Sequence, residues 1–195
     1  MLSEAGRPPV GGPGYDFGAL LAGARAGRPE AWDHIYRSLA PAIAGYLRMQ
    51  GAADVDDLCS EVFLGVFRGI ATFEGDATGF RSWVFVIAHR RLQDERRRRG
   101  RALTSDRTTA ESATGPAGCS AEEDALRELA TARVKSTCSQ LAADQRDVVL
   151  LRILGDLTVD EVARVLAKTP GAVKQLQRRG FEAIRRISAR EGVPL

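Results

Sequence analysis

Two arginine-rich stretches dominate the chemistry open to this sequence. Residues 90–101 (RRLQDERRRRGR) set seven Arg against Asp94 and Glu95, a net charge of +5. Residues 168–190 carry Lys168, Lys174, Arg178, Arg179, Arg185, Arg186 and Arg190 against Glu182, a net charge of +6. The guanidinium fork matches phosphate oxygens and the guanine edge with two parallel bonds. A single charge run is usually a solvated face. Two of them, each closing a helical pattern, point to two contacts with a polyanion. A separate acidic stretch, residues 54–76, holds Asp54, Asp56, Asp57, Glu61, Glu74 and Asp76 against Arg68 and calls for a different, basic partner surface. Six of the twelve aromatic residues (Phe63, Phe67, Phe73, Phe80, Trp83 and Phe85) crowd into residues 63–85 and lead into the first Arg cluster. Phe63, Phe67, Phe80 and Trp83 have the spacing of core residues, whereas Phe73 falls in a loop and Phe85 lies off the buried stripe. Aromatics that stack unpaired bases, beside Arg that hold the backbone, form a single-strand binding surface. A base drawn out of a duplex also needs a pocket to receive it.

Other chemistries find no residues to perform them. There is no phosphate-cradling Gly loop, no Ser-His-Asp candidate and no carboxylate pair with a pocket, so no enzymatic activity is expected. A nucleic-acid-cutting enzyme would need an acidic metal cluster beside the basic patch, which is missing. The two histidines, His34 and His89, have no Cys or carboxylate at ligand spacing, so neither a metal nor a cofactor is expected. The three cysteines (Cys59, Cys119, Cys138) are an odd set without a CxxC pair, which argues against a disulfide framework or zinc ribbon and for a reducing compartment. Cys59 reads as a small, partly buried thiol. The longest apolar run, residues 83–88, is six residues, against the roughly 18 a membrane helix needs, so no membrane insertion is expected. The start, MLSEAGRPPVGG, has no secretion-signal pattern, and a cytoplasmic location is expected.

The elements that position these residues are helices. A chain of 195 residues and 21.1 kDa suits one or two small domains. Residues 1–14, rich in Gly and Pro, read as a loose tail. Trp32, Ile35, Tyr36, Leu39, Ile43, Tyr46 and Leu47 recur at helical spacing, and Gly51 closes that helix. A second helix over about 55–70 aligns Leu58, Val62, Val66 and Ile70 on one stripe. Residues 72–79 (TFEGDATG) form a loop, and a third helix starts near Phe80 with Trp83, Val84, Ile87 and Leu92 inward before it becomes almost pure Arg. Residues 101–121 break every period and read as a flexible linker. Helical pattern resumes at about 122–141 and 144–154, and no alternating strand pattern of useful length occurs. The chain therefore reads as all-α: two small helical domains, residues 15–100 and 122–190, joined by the linker.

The second domain carries the strongest local grammar. Thr158-Val159-Asp160-Glu161 fits a capping box. The helix it opens places Val159, Val162, Ala163 and Leu166 on one face, and Ala167-Lys168-Thr169 makes a three-residue turn. Thr169 then caps a helix with Pro170 at its first position. That helix turns Val173, Leu176, Gly180, Ile184 and Ile187 inward, with Gly180 allowing close helix packing. Lys174, Gln175, Gln177, Arg178 and Arg179 are left outside. This is a helix-turn-helix, whose second helix enters the major groove. Arg and Gln suit base edges, while Lys174, Arg185 and Arg186 suit phosphates. By itself the motif does not separate a repressor from other DNA readers.

Residue types and order resemble one family. The stretch DVDDLCSEVFLGVFRGIATFEGDATGFRSWVFVIAHRRLQDERRRR resembles the second conserved region of the extracytoplasmic function (ECF) sigma factors of bacterial RNA polymerase, and LAADQRDVVLLRILGDLTVDEVARVLAKTPGAVKQLQRRGFEAIRRI resembles their fourth region. The resemblance implies a sigma factor that directs core polymerase to promoters and helps melt them. It assigns Asp56, Asp57, Leu58, Glu61 and Phe63 to docking on the clamp helices of the polymerase largest subunit, with the flap as a further contact. It assigns the loop from Phe73 to Thr78, then Phe80, Arg81, Trp83, His89, Arg90, Arg91, Arg96 and Arg97, to the −10 element and its flipped base. It assigns Thr169, Lys174, Gln175, Arg178 and Arg179 to the −35 element. The linker is expected in the polymerase channel used by template strand and nascent RNA, and an anti-sigma factor is an expected partner. Two positions depart from the commonest pattern. Arg90 stands where the family often has Asn, which leaves −10 base preference open. The recognition helix reads GAVKQLQRR, similar to the GAVKALQHRA variant, which leaves the −35 sequence open. A free-standing regulator using only the helix-turn-helix is the competing reading, and it leaves the acidic and aromatic-arginine helices without a task.

Overall fold

The computed structural model describes residues 16–103 and 121–191, and the tail of 1–14 and most of the linker of 101–121 lie outside them. Among the described residues there are eight α-helices and no strand: α1 (Phe17–Arg25), α2 (Pro29–Met49), α3 (Val55–Gly69), α4 (Ala77–Leu103), α5 (Ala121–Ser139), α6 (Ala143–Ile153), α7 (Val159–Leu166) and α8 (Pro170–Arg190), plus a single 3-10 turn at Ile70–Thr72. The all-α architecture agrees with the periodicity.

Helix ends follow the local chemistry. Asp16 caps α1 by accepting from the Gly18 amide at 2.8 Å, and Asp54 caps α3 by accepting from the Asp57 amide at 2.8 Å. Asp56 and Asp57 lie in the first turn of α3, where the helix dipole favours negative charge. The third helix begins at Ala77, ahead of the expected start near Phe80, because Asp76 accepts from the Gly79 amide at 2.7 Å and shortens the loop to residues 73–76. Helix α1 has no counterpart in the sequence reading. It is short and carries Gly18 and Gly23, yet it buries Leu20, Leu21 and Ala24, and the Trp32 indole donates to the Ala24 carbonyl at 3.0 Å to fasten it to α2.

The helix-turn-helix has the expected caps. Thr158 Oγ1 accepts from the Glu161 amide at 3.3 Å while Glu161 Oε2 accepts from the Thr158 amide at 2.6 Å, and Thr169 Oγ1 accepts from the Ala172 amide at 3.2 Å. Ala167 takes a left-handed conformation, φ 52°, to make the turn. Gly180 is where α8 crosses α6, and a Cβ there would lie 2.7 Å from Val149 Cγ2.

The two halves are not separate bodies. Helix α4 packs against α7, α2 packs against α5 and α6, and one contiguous apolar cluster runs from Leu20 through Leu92 to Leu151, Leu157 and Val173. Phe85, expected off the buried stripe, is fully buried. Helix α4 is covered on one side by α2 and α3 and on another by α7, so its buried surface is wider than one stripe. Among the described residues no helix is long and apolar enough to cross a membrane.

Gly180→Ala should cost about 1–3 kcal/mol through overpacking against Val149. Gly171→Ala, on the same helix with nothing within 4 Å, should instead gain about 0.5–1 kcal/mol. Urea denaturation of the two variants checks the contrast.

Candidate nucleic-acid interface

The outer face of α8 presents Lys174, Gln175, Arg178 and Arg179 to solvent, with Thr169 at its start. Arg178 Nε stands 4.0 Å from Glu182 Oε1, an exposed i,i+4 pair too weak to hold the guanidinium from a ligand. Lys168 Nζ lies 3.0 Å from Asp144 Oδ2 and fixes the turn to α6. Behind this face, Gln145, Arg179, Glu182, Arg185 and Arg186 line a shallow concavity.

The expected docking set divides. Asp56 and Asp57 are exposed on α3, and Glu61 is partly covered, with its Oε1 3.7 Å from Arg98 Nη2. Leu58 is only 3% exposed, so it packs inward and is corrected from a docking residue to a core residue. The Phe63 ring lies 4.7 Å from that of Tyr36, and the Phe67 ring 5.1 Å from that of Trp32. Sequence reasoning missed Tyr36, Leu64 and Phe67, which are all more than half exposed and form an apolar patch beside the acids. The available signal was the Leu58–Val62–Val66 row: once it faces inward, positions 60, 64 and 67 must face out.

The expected −10 set is mostly covered. Phe73, Phe80 and Trp83 pack ring on ring, with centroids 5.1–5.6 Å apart, and Trp83 sits over Gly69. Phe80 and Phe73 are buried, which corrects both from exposed base-stacking groups to the floor of the loop; Trp83 is half-buried. The Arg25 guanidinium donates to the carbonyls of Ile70 and Phe73 and ties α1 to the start of that loop. Arg81 is 7% exposed and its Nε donates to the Gly155 carbonyl, in the turn between α6 and α7, at 2.6 Å, so it too is not at the surface in this conformation. Arg90 and Arg97 are exposed, Arg97 beside Asp94 at 3.3 Å, and Arg91 is half-buried. Arg96 Nη2 donates to both the backbone and side-chain oxygens of Gln50, at 2.6 and 2.7 Å.

His89 faces the seam between the halves. Its Nδ1 and the Tyr46 hydroxyl are hydrogen-bonded at 2.9 Å. Burial pushes the imidazole below its ordinary value; the Asp147 carboxylate opposes the shift and the Arg96 guanidinium adds to it. Burial also pushes the Tyr46 hydroxyl and the Cys59 and Cys138 thiols up, which leaves both thiols poor nucleophiles. Among the described residues no cluster of three or more His, Cys, Asp or Glu could hold a metal ion.

The unfolded chain binds a proton at His89 more readily than the folded chain does. Stability should therefore be full above the ordinary His value of 6.5 and fall as pH drops below it toward the depressed folded value. Thermal melts should show Tm falling from about pH 7.5 to about pH 5.5, and His89→Gln should flatten that fall.

Known proteins share this arrangement. Residues 35–102 match the family described as Sigma-70 region 2, and residues 139–186 match Sigma-70, region 4. The ECF RNA polymerase sigma factor BldN of Streptomyces coelicolor is 31% identical over 176 residues, 86% of this chain; the chain spans a little under two thirds (64%) of that relative's length. The RNA polymerase sigma-H factor of Pseudomonas aeruginosa is 30% identical over 140 residues, covering 68% of this chain and 72% of that one. Among solved structures, the sigma factor RpoE in complex with the anti-sigma factor NepR from Bartonella quintana superposes with a TM-score of 0.63 at 19% identity, over 80% of this chain and 96% of that one, a likeness of fold. Both conserved regions, in order and on the helices described, place this chain in the sigma-70 family, among the ECF sigma factors.

Proposed function

We propose that the chain is a dissociable specificity subunit of RNA polymerase that performs no chemistry itself. Helix α3 docks on core enzyme, the 73–76 loop and α4 engage the melted −10 element, and α8 reads the −35 element as duplex. The observation that carries this reading is the pairing of an outward acidic and apolar α3 face with an outward basic α8 face on one chain. A free-standing regulator needs only the second.

The α3 surface suits a basic helical partner with an apolar seam: Asp56, Asp57 and Glu61 supply charge, and Tyr36, Leu64 and Phe67 supply area to bury. On α8, Arg178 and Gln175 are the types that read base edges, while Lys174 suits phosphate. Of the −10 set, Arg90 and Arg97 offer solvent-facing guanidinium groups to the backbone. An anti-sigma factor is a fitting partner, given that the Bartonella relative of like fold is bound to one.

Run-off transcription with purified core enzyme tests the whole reading: specific transcripts should start only when the chain is added. Asp57→Arg combined with Glu61→Arg should abolish co-purification with core enzyme while the circular dichroism spectrum stays helical. Arg178→Ala should change −35 preference at one base pair, at a cost of about 1–3 kcal/mol for a two-bond contact, measured by binding to a panel of substituted duplexes. An equal loss on every duplex would assign Arg178 to phosphate instead.

A further inference from the structure

One buried acid has no part in the function above. Asp147, on α6, is 6% exposed, and its carboxylate points out of its own half of the molecule into the other. Its Oδ1 accepts from Gln50 Nε2 at 2.5 Å, and Gln50, itself 3% exposed, accepts twice from Arg96. The relay Asp147–Gln50–Arg96 thus joins α6 to the end of α2 and to the basic stretch of α4. A second, separate contact is the Arg81 bond to the Gly155 carbonyl. Both bonds end on residues that the −10 reading needs. The seam between them is dry and apolar, with Leu154 Cδ1 3.8 Å from where a Cβ on Gly45 would stand.

We propose that this chain has a closed state in which region 4 occupies the −10 face of region 2, with the Asp147 carboxylate as its latch. Closed, the molecule withholds one function and leaves two available. Arg81 and Arg96 are engaged in protein bonds and α7 lies over α4, so a single strand has no path onto that face. The acidic α3 surface and the outward side chains of α8 stay exposed. A carboxylate near Arg96 and His89 stands where a strand's phosphate would otherwise be drawn, so region 4 and DNA compete for one electrostatic niche. Docking on polymerase through α3 can then precede opening, and the free chain is kept from gripping melted DNA on its own. The proposal rests on the −10 assignment of α4, and its test separates the two.

The test labels the full chain with a donor and an acceptor dye at the exposed positions Arg37 and Arg190 and measures energy transfer in solution. Asp147→Lys sets a like charge beside Arg96, and Gly45→Phe wedges the seam at Leu154 without touching any polar contact. Both variants should lower energy transfer relative to the unsubstituted chain while helicity and −35 duplex binding hold. Affinity for a short single-stranded DNA of mixed sequence should rise about tenfold as the closed population is removed. Equal energy transfer in all three proteins overturns the closed state. A drop in energy transfer with no gain in single-strand binding supports the latch and overturns the −10 assignment of α4 instead. Gly45→Phe keeps the inference testable should Asp147→Lys disturb region 4.

Discussion

Helix α4 must bury two faces with one sequence and still carry a nucleic-acid surface along its length. At 27 residues it spans about 40 Å. Its first half meets this demand with aromatics and aliphatics: Phe80, Val84, Phe85, Ala88 and Leu92 are all fully buried. Its second half has arginines that cannot be buried without partners, and the fold supplies partners at intervals, with Gln50 for Arg96 and Glu95 for Arg99. Everything around α4 follows from this. Helices α2 and α3 cover one side, α7 covers another, and α1 fastens the loop that leads into it through Arg25.

What holds the two halves together differs in kind from what holds each half. Inside each half the contacts are interdigitated apolar side chains, where loss of one large group costs several kcal/mol. Across the seam the named contacts include a carboxylate, an amide and two guanidinium groups. Buried polar pairs gain little net stability after desolvation, yet breaking one partner of such a pair is costly. A seam of this kind fixes one geometry without committing the molecule to it, which suits a surface that must be exchanged for another ligand.

Much of the carboxyl-terminal half was legible in the sequence because its signals are local. The Thr158–Glu161 box, the Thr169 cap, Pro170 and the close approach at Gly180 depend on residues three or four apart or on a single missing side chain. The amino-terminal half was legible in its elements but not in its exposures. The burial of Phe73, Phe85 and Arg81 is decided by Arg25 and by region 4, far away in sequence. Tyr36, Leu64 and Phe67 have core-like types, and only the inward row of α3 forces them out. Helix α1 escaped notice because two glycines weaken its propensity and packing alone restores it.

Trp32 and Trp83 are the chain's two tryptophans, and both belong to region 2. One indole bridges α1 and α2 and the other rests on Gly69 inside the aromatic trio. Intrinsic emission from this protein is consequently a local spectroscopic probe. It will register rearrangement of the promoter-melting loop and of α1, and it will be blind to events confined to the helix-turn-helix.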